Sequence, residues 1–149
     1  MTATSLPVIR LINSSEQPIC AGIYESAWNS AMPHSKRQIN VAEFRNEVEG
    51  ELTYGSLIRD RLCGYISIWK PDWFIHHLYI DPSVHGIGIG RALLIHVQNM
   101  AGNNPLSLKC QTANKKALGF YNAAGFTESQ ESGEDEYGRW IRLVRQPSS

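Results

Sequence analysis

The sequence predicts a mixed α/β domain in which helices flank a central sheet. The chain has 149 residues, which is the length of one domain with a core of its own, so we expect a single domain over residues 1–149. A strand-like run at residues 73–80 is followed by a glycine-rich stretch, a helix-like run at 91–100 and a second strand-like run at 106–111. This order predicts two parallel strands joined by a right-handed helical crossover.

The first part of the chain predicts one strand and two helices. Residues 8–12 form a strand-like run, and residues 13–16 supply capping groups for a helix that extends to about Ala27. Residues 40–48 carry apolar side chains at helical spacing, and Gly50 is expected to end that helix.

Two apolar runs in the middle of the chain predict an antiparallel hairpin. Residues 51–58 and 62–69 are strand-like, and only the polar residues 59–61 separate them. The sequence Pro71-Asp72 then predicts a turn into the strand at 73–80.

The remaining elements follow the glycine-rich stretch. A helix over 91–100, broken by Gly102 to Pro105, precedes the strand at 106–111. Residues 113–123 predict another helix, which Gly125 ends in a left-handed conformation. Residues 126–129 and 139–144 are expected to form a closing hairpin.

Composition excludes several functional classes. The chain has 14 Lys plus Arg and 14 Asp plus Glu, so it lacks the basic surface expected of a nucleic-acid-binding protein. Its 3 cysteines have no metal-ligand spacing, so we expect reduced packing residues and no metal site. No apolar window approaches the length of a membrane span and no leader pattern is present, which predicts a cytoplasmic protein without a membrane partner.

The glycine-rich stretch predicts an anion-binding loop. Gly86, Gly88 and Gly90 alternate with other residues just before a helix, so bare backbone N–H groups and the helix dipole can converge on a phosphate. A purely structural turn is the alternative interpretation. The stretch has no Gly-Lys-Ser/Thr ending, and Arg91 occupies the third glycine position of a dinucleotide fingerprint, so the two better-known phosphate loops are excluded.

Two segments resemble the GNAT superfamily of N-acetyltransferases. The stretch His85-Gly86-Ile87-Gly88-Ile89-Gly90 resembles its hallmark Gln/Arg-x-x-Gly-x-Gly/Ala, with His85 where the family usually has Arg or Gln. Residues 114–126, NKKALGFYNAAGF, resemble the family's Asn-x-x-Ala-x-x-x-Tyr-x-x-x-Gly-Phe block. The resemblance implies the GNAT-like fold, a mixed, mostly antiparallel sheet with two splayed parallel strands and flanking helices.

The resemblance also implies acetyl-CoA as the acyl donor. In this family the pantetheine arm lies between the splayed strands, which assigns Leu78, Tyr79 and Ile80 to the cofactor site, with the Leu78 N–H available to polarise the thioester carbonyl. It assigns Asn114 to a hydrogen bond with the cofactor. The loop residues assigned to the pyrophosphate are His85, Gly86, Ile87, Gly88, Ile89, Gly90 and Arg91.

Acetyl transfer to an amine needs an acid and a base, because an alkylamine is mostly protonated at pH 7 and the departing thiolate gains a proton. The resemblance assigns Tyr121 to the general acid. Its spacing of seven residues from Asn114 is about two helical turns, which is consistent with one side of a helix. A simple packing residue is the alternative for Tyr121.

Two adjacent histidines are the candidate bases, since imidazole titrates near neutrality. Strand alternation puts His76 on the side of Leu78, and it puts His77 on the side of Ile75 and Tyr79, unless a bulge breaks this parity. Relatives that acetylate arylalkylamines carry histidines on this strand, which favours His76. A structural histidine, His77 and a water molecule stay open as alternatives.

The acceptor is less well defined. Four aromatic residues are candidates for an acceptor pocket or for the core, namely Tyr24, Trp28, Trp69 and Trp73. Glu25 and Glu43 either attract a cationic amine or form solvated helix surface. Residues 131–136 predict an acidic turn that attracts a polyamine, lines a dimer groove or forms a solvated loop.

The sequence therefore predicts an acyltransferase that moves an acetyl group from acetyl-CoA to a primary amine by direct attack in a ternary complex. A small-molecule amine and a protein amino group are both open as acceptors, and a homodimer is possible. The alternatives are a non-catalytic acyl-CoA-binding regulatory protein and a structural module that uses the loop only as a turn.

Overall fold

The computed structural model describes residues 7–84 and 86–147, which form seven strands and four α-helices. The strands are β1 (Val8–Leu11), β2 (Leu52–Ile58), β3 (Arg61–Trp69), β4 (Phe74–Ile80), β5 (Leu106–Gln111), β6 (Thr127–Asp135) and β7 (Gly138–Arg145). The helices are α1 (Gln17–Ala31), α2 (Val41–Glu47), α3 (Ile89–Ala101) and α4 (Lys115–Ala123). The predicted mixed α/β architecture is confirmed.

All seven strands belong to one sheet, in the order β1-β2-β3-β4-β5-β7-β6. The pairs are antiparallel except β4 with β5, which run parallel as the strand-helix-strand order predicts. The β4 and β5 strands therefore meet in the middle of the sheet, and the segment that connects them through α3 begins at their carboxyl end.

Local capping explains where the first helices start. The Asn13 N–H donates to Glu16 Oε1 at 3.0 Å in a capping box just before α1. The Asn40 Oδ1 accepts from the Glu43 N–H at 2.8 Å and so caps α2.

Several element boundaries differ from the sequence prediction, among them those of α3, α4 and β6. The α3 helix begins at Ile89 rather than at residue 91, because Gly88 adopts φ 79° and serves as the N-cap. The α4 helix begins at Lys115, two residues later than predicted. The acidic residues 131–135, expected to form a turn, instead extend β6, because their backbone pairs with β7.

Two apolar clusters cover the two faces of the sheet. One lies beneath α3 and α4 and includes Ile66, Ile75 and Leu93. The other lies beneath α1 and α2 and includes Phe44 and Tyr65. Because Tyr65 and Ile66 are adjacent in β3, the two clusters lie on opposite faces.

All three cysteines, Cys20, Cys63 and Cys110, are buried and free, in agreement with the prediction of reduced packing residues. Among the described residues, no helix has both the length and the apolar character that a membrane crossing requires.

Candidate active site

The candidate site is a cleft that opens where β4 and β5 separate. Their parallel pairing is limited to Phe74 with Ser107 and Ile75 with Leu108 among the described residues, although β4 continues to Ile80. A cavity of about 300 Å³ lies between the diverging strands. Its walls include residues of β4 and β5, the end of α1 and one side of α4, so the predicted splay is present.

The free edge of β4 exposes backbone groups to this cavity. The Asp81 N–H donates to the Cys63 carbonyl at 2.8 Å, and Ile80 lies opposite Gly64. Because successive strand residues direct their backbone groups to opposite edges, the N–H and C=O of Leu78 and Ile80 point away from β3 and into the cleft.

Tyr79, which was predicted to share the cofactor site with Leu78 and Ile80, has its backbone groups on the β3 side by the same alternation. Its side chain stacks on Tyr24, with the ring centroids 4.6 Å apart, and lines the cavity. Tyr79 therefore lines the cleft with its side chain, and its backbone groups do not face the cleft.

The glycine-rich loop leads from β4 into the first turn of α3. Gly86 and Gly88 have φ of 75° and 79°, a conformation that other residues rarely adopt. Among the described residues, a Cβ at either position would meet no atom within 4 Å beyond its chain neighbours, so both glycines face open space. His85, the other predicted contact at the start of the loop, lies outside the described residues.

The start of α3 provides unpaired donors beside this loop. The helix's first backbone hydrogen bond runs from the Ala92 N–H to the Gly88 carbonyl at 3.0 Å, which leaves the N–H groups of Ile89, Gly90 and Arg91 without acceptors in the helix. A cavity of about 740 Å³ borders this turn, and Arg91, Lys115 and Lys116 contribute positive charge to its lining. Such a helix start attracts anions.

Asn114 lies at the border of both cavities and caps α4. Its Oδ1 accepts from the Ala117 N–H at 3.1 Å. Within the described parts of the chain its Nδ2 has no acceptor, so the amide can still donate to a ligand.

Tyr121 of α4 lines the cleft from the face opposite α1. The side chain is 8% exposed, and its ring packs edge-on against Phe120 and Phe126. Its hydroxyl has no hydrogen-bond partner among residues 7–84 and 86–147. Burial raises the pKa of Tyr121 above its ordinary value, and neighbouring Cys110 and Tyr79 raise it further, so the hydroxyl stays protonated near neutral pH.

A β-bulge decides how the two histidines are placed. Ser67 pairs with His77 and the next residue of β3 pairs with Ile75, so His76 is an extra residue in β4. Ile75 consequently packs beneath α3 while His77 faces α2 with Tyr79. The parity expected from simple alternation is therefore wrong for Ile75 and His76, and the bulge brings both imidazoles to the same face.

His77 is a buried structural residue in this arrangement. It is 2% exposed, its Nε2 donates to Glu47 Oε1 at 3.1 Å, and its Nδ1 accepts from the Tyr65 hydroxyl at 3.0 Å. This tautomer follows because a carboxylate only accepts. Burial lowers the pKa of His77 despite its bond to Glu47, so the ring is neutral near pH 7. Both of its ring nitrogens are engaged in the hydrogen bonds above.

His76, in contrast, makes one side-chain hydrogen bond among the described residues, through Nδ1, and its ring lines the cleft. Its Nδ1 donates to Glu51 Oε2 at 2.7 Å, and its side chain is 35% exposed. It lines the cleft and a second cavity of about 470 Å³. Although burial alone would lower it, the hydrogen bond to Glu51 and the charges on Glu51 and Glu47 raise the pKa of His76 above its ordinary value.

Two carboxylates of this site were not identified from the sequence, Glu47 and Glu51. Glu47 accepts from Tyr24 at 2.9 Å as well as from His77. Burial by itself would raise the pKa of Glu47, but these hydrogen bonds and the Arg37 guanidinium lower it. One ligand-type atom each of Glu47, His76 and His77 lies within 4.8 Å of the other two.

The two glutamates that were proposed to attract an amine have partners within the protein. Glu25 accepts from the Ile39 N–H at 2.7 Å, and Glu43 forms an ion pair with Arg37 at 3.2 Å. Both carboxylates thus stabilise the segment between α1 and α2.

The four candidate aromatic residues have different environments. Tyr24 is buried, and Trp28 lines the cleft while its ring contacts the Arg37 guanidinium. Trp69 is 41% exposed beside the second cavity, and Trp73 packs against the cluster beneath α3. Trp28 is therefore the one of these four that lines the cleft between β4 and β5.

Comparisons with known proteins agree with this architecture. A family model described as an acetyltransferase (GNAT) domain matches residues 24–145. Peptidyl-lysine N-acetyltransferase YjaB of Escherichia coli K12 is 39% identical over 67 residues, which are 45% of this chain and 44% of that protein. The match thus spans less than half of the length of this relative.

Two further similarities cover most of the chain. N-alpha-acetyltransferase RimI of Mycobacterium tuberculosis is 27% identical over 130 residues, which are 85% of this chain and 82% of that protein. The crystal structure of the PaiA N-acetyltransferase of Thermoplasma acidophilum in complex with coenzyme A has a TM-score of 0.77 at 16% identity, over 94% of this chain and 98% of that one.

Proposed function

Because this chain belongs to the acetyltransferase (GNAT) family, we propose that it is an N-acetyltransferase that moves an acetyl group from acetyl-CoA to a primary amine. The observation that carries the proposal is the cleft itself. It combines an unpaired strand edge, an anion-attracting loop, a protonated tyrosine and a histidine that uses only Nδ1 in a side-chain hydrogen bond among the described residues.

Acetyl-CoA fits the groups that surround the cleft. The backbone groups of Leu78 and Ile80 can pair with the amides of the pantetheine arm, as an added strand would. The N–H groups of residues 89–91, with Gly86 and Gly88 before them, suit the pyrophosphate. The PaiA structure contains coenzyme A in the same fold, which supports this choice of donor.

The acceptor we propose is a primary amino group. The names of two relatives specify such groups, since one acetylates peptidyl lysine and the other an α-amine. At neutral pH a lysine amine is mostly protonated and an α-amine is partly protonated. Either nitrogen has to lose a proton to become an amide.

In the proposed reaction the amine nitrogen attacks the thioester carbon directly. The Leu78 N–H stabilises the negative charge that develops on the carbonyl oxygen. His76 Nε2 accepts the proton that the amine loses, the C–N bond forms and the C–S bond breaks. Tyr121 donates its proton to the departing sulfur, which leaves as the CoA thiol.

The geometry favours catalysis over the alternative of a regulatory protein that only holds acyl-CoA. A binding module has no need of a tyrosine hydroxyl that has no partner among the described residues, or of a histidine that uses only Nδ1 in a side-chain hydrogen bond there, both at the cleft between the strands. Both groups line the same cavity of about 300 Å³, His76 on β4 and Tyr121 on α4.

The test is to incubate the protein with acetyl-CoA and a panel of peptidyl-lysine, amino-terminal and small-molecule amines and to record the release of CoA thiol. We expect release above the control without acceptor for at least one amine class. Calorimetric binding of CoA without release from any amine would instead support the regulatory alternative. Absence of CoA binding would refute the assignment of the cleft.

A further inference from the structure

The base proposed above is hydrogen-bonded to the carboxylate of Glu51, which two buried hydroxyl groups of the sheet hold in place. Glu51 follows α2 and directly precedes β2, and its side chain is only 9% exposed. Its backbone N–H donates to the Val48 carbonyl at 3.0 Å, which ties the turn to the end of the helix. The side chain therefore approaches β4 from a fixed backbone.

Both oxygens of the Glu51 carboxylate have specific donors. Oε2 accepts from His76 Nδ1 at 2.7 Å, and Oε1 accepts from the Ser67 hydroxyl at 2.7 Å. The Ser67 oxygen lies 2.8 Å from the Thr53 hydroxyl. Since the Ser67 hydroxyl gives its proton to the carboxylate, the Thr53 hydroxyl must donate to the Ser67 oxygen. Both hydroxyl protons in this series of hydrogen bonds therefore point towards Glu51.

The hydroxyl pair is buried within the sheet. Ser67 is 0% exposed and Thr53 is 7% exposed, and the two lie opposite each other in the register of β2 and β3. Buried hydroxyl groups that are fully satisfied make a rigid support for the group they donate to. A carboxylate anchored in this way has little freedom to rotate away from the imidazole.

We propose that Glu51 is the positioning residue of His76, holding the imidazole with its Nδ1 proton towards the carboxylate and its Nε2 towards the cleft. This inference rests on the proposed function for its catalytic consequence, but not for the geometry. The bulge at His76 is what makes the contact possible, because it brings this side chain to the face that Glu51 reaches. Such a carboxylate fixes the tautomer of the base and stabilises the imidazolium that forms when the base accepts a proton.

Several other charged or titratable groups face His76 and have to be considered with Glu51. They are Glu47 of α2, His77 of the same strand, Lys109 of β5 and, around the second cavity, Asp72 and Arg142. Glu51 is the one whose carboxylate is hydrogen-bonded to the His76 ring, so we expect its removal to have the largest effect on the pKa of His76.

The experiment measures the pKa of His76 by NMR titration of the full-length protein, with the imidazole signal identified by its loss in His76→Asn. We expect Glu51→Gln to lower the pKa of His76 by about one pH unit or more, because it removes the opposite charge while keeping the shape of the side chain. Glu51→Asp keeps the charge, so it should retain part of the elevation. Glu49→Gln is the matched control, since Glu49 is exposed on the same turn and its side chain has no hydrogen bond within the described residues.

The same variants are then assayed for the pH dependence of kcat/KM. We expect the acid limb of the Glu51→Gln profile to move to lower pH in step with the NMR value and its plateau to fall. An unchanged pKa in Glu51→Gln, with a backbone spectrum that shows the native fold, would overturn the inference. A lowered pKa with an unmoved rate profile would support the inference and refute the proposed use of His76 as the base.

Discussion

The Tyr121→Phe substitution separates the chemical step from binding and folding. The change removes one hydroxyl group that has no hydrogen-bond partner among the described residues and keeps the ring that packs against Phe120 and Phe126. We therefore expect the free energy of unfolding to change by less than about 1 kcal/mol, because no buried partner loses its bond. If Tyr121 is the general acid, the loss should appear in turnover.

The size of the effect follows from what the hydroxyl would do. A positioned general acid contributes about 10²–10⁴-fold to a rate. The leaving group here is a thiolate with an ordinary pKa of about 8.5, which departs more readily than an alkoxide, so we expect the lower end of the range. A decrease of about 10²-fold corresponds to about 2.7 kcal/mol in activation free energy.

The assay compares kcat from CoA thiol release with the dissociation constant of acetyl-CoA from calorimetry. We expect kcat to fall while the dissociation constant changes by less than about fivefold, the equivalent of one hydrogen bond of about 1 kcal/mol. Tyr54→Phe is the matched control, because Tyr54 is half-buried on β2, contacts His96 and lies outside the cleft. Turnover of Tyr121→Phe equal to that of Tyr54→Phe would remove Tyr121 from catalysis.

Three further predictions test the loop, the base and the cap. Gly88→Val forces a branched side chain into φ 79°, which costs about 1–2 kcal/mol or more and should weaken acetyl-CoA binding by about tenfold or more in calorimetry. Gly22→Ala, in open space on α1, should leave it unchanged, and unaltered affinity in Gly88→Val would rule out the loop assignment. His76→Asn should lower kcat by about 10²-fold and abolish the acid limb of the kcat/KM profile. In the wild type that limb lies above the ordinary imidazole pKa of about 6.5, because the pKa of His76 is raised and activity needs the neutral ring. A retained acid limb in His76→Asn would point to another base. Asn114→Ala should lower stability by about 1 kcal/mol in thermal unfolding through loss of the α4 cap, and an unchanged midpoint would contradict the capping bond.

Local sequence patterns predicted most of the elements and the parallel β4–α3–β5 unit. These predictions succeeded because alternating and helical spacings of apolar residues, and the positions of glycine and proline, act directly on the local backbone conformation. One error occurred where a tertiary partner outweighed a local preference. Residues 131–135 are acidic and typical of a loop, yet pairing with β7 extends them into a strand.

Half of the candidate site was also accessible from motifs. The glycine loop and Asn114 and Tyr121 on α4 lie within short segments, so their spacing along the chain determines their spacing in space. The structure places the described members of this set around two adjoining cavities beside β4. Their roles in binding and catalysis stay predictions until the experiments above are done.

The family, the order of strands and helices, and the pair of histidines at the start of the cleft follow from the sequence alone. Which histidine is buried with both ring nitrogens engaged depends on tertiary contacts, because a one-residue bulge against β3 changes the face of every side chain before it. The same contacts make Glu47 and Glu51, 30 and 25 residues away in the chain, the partners of the two histidines. Contacts of that kind depend on the folding of α2 over the sheet, and no pattern of neighbouring residues encodes them.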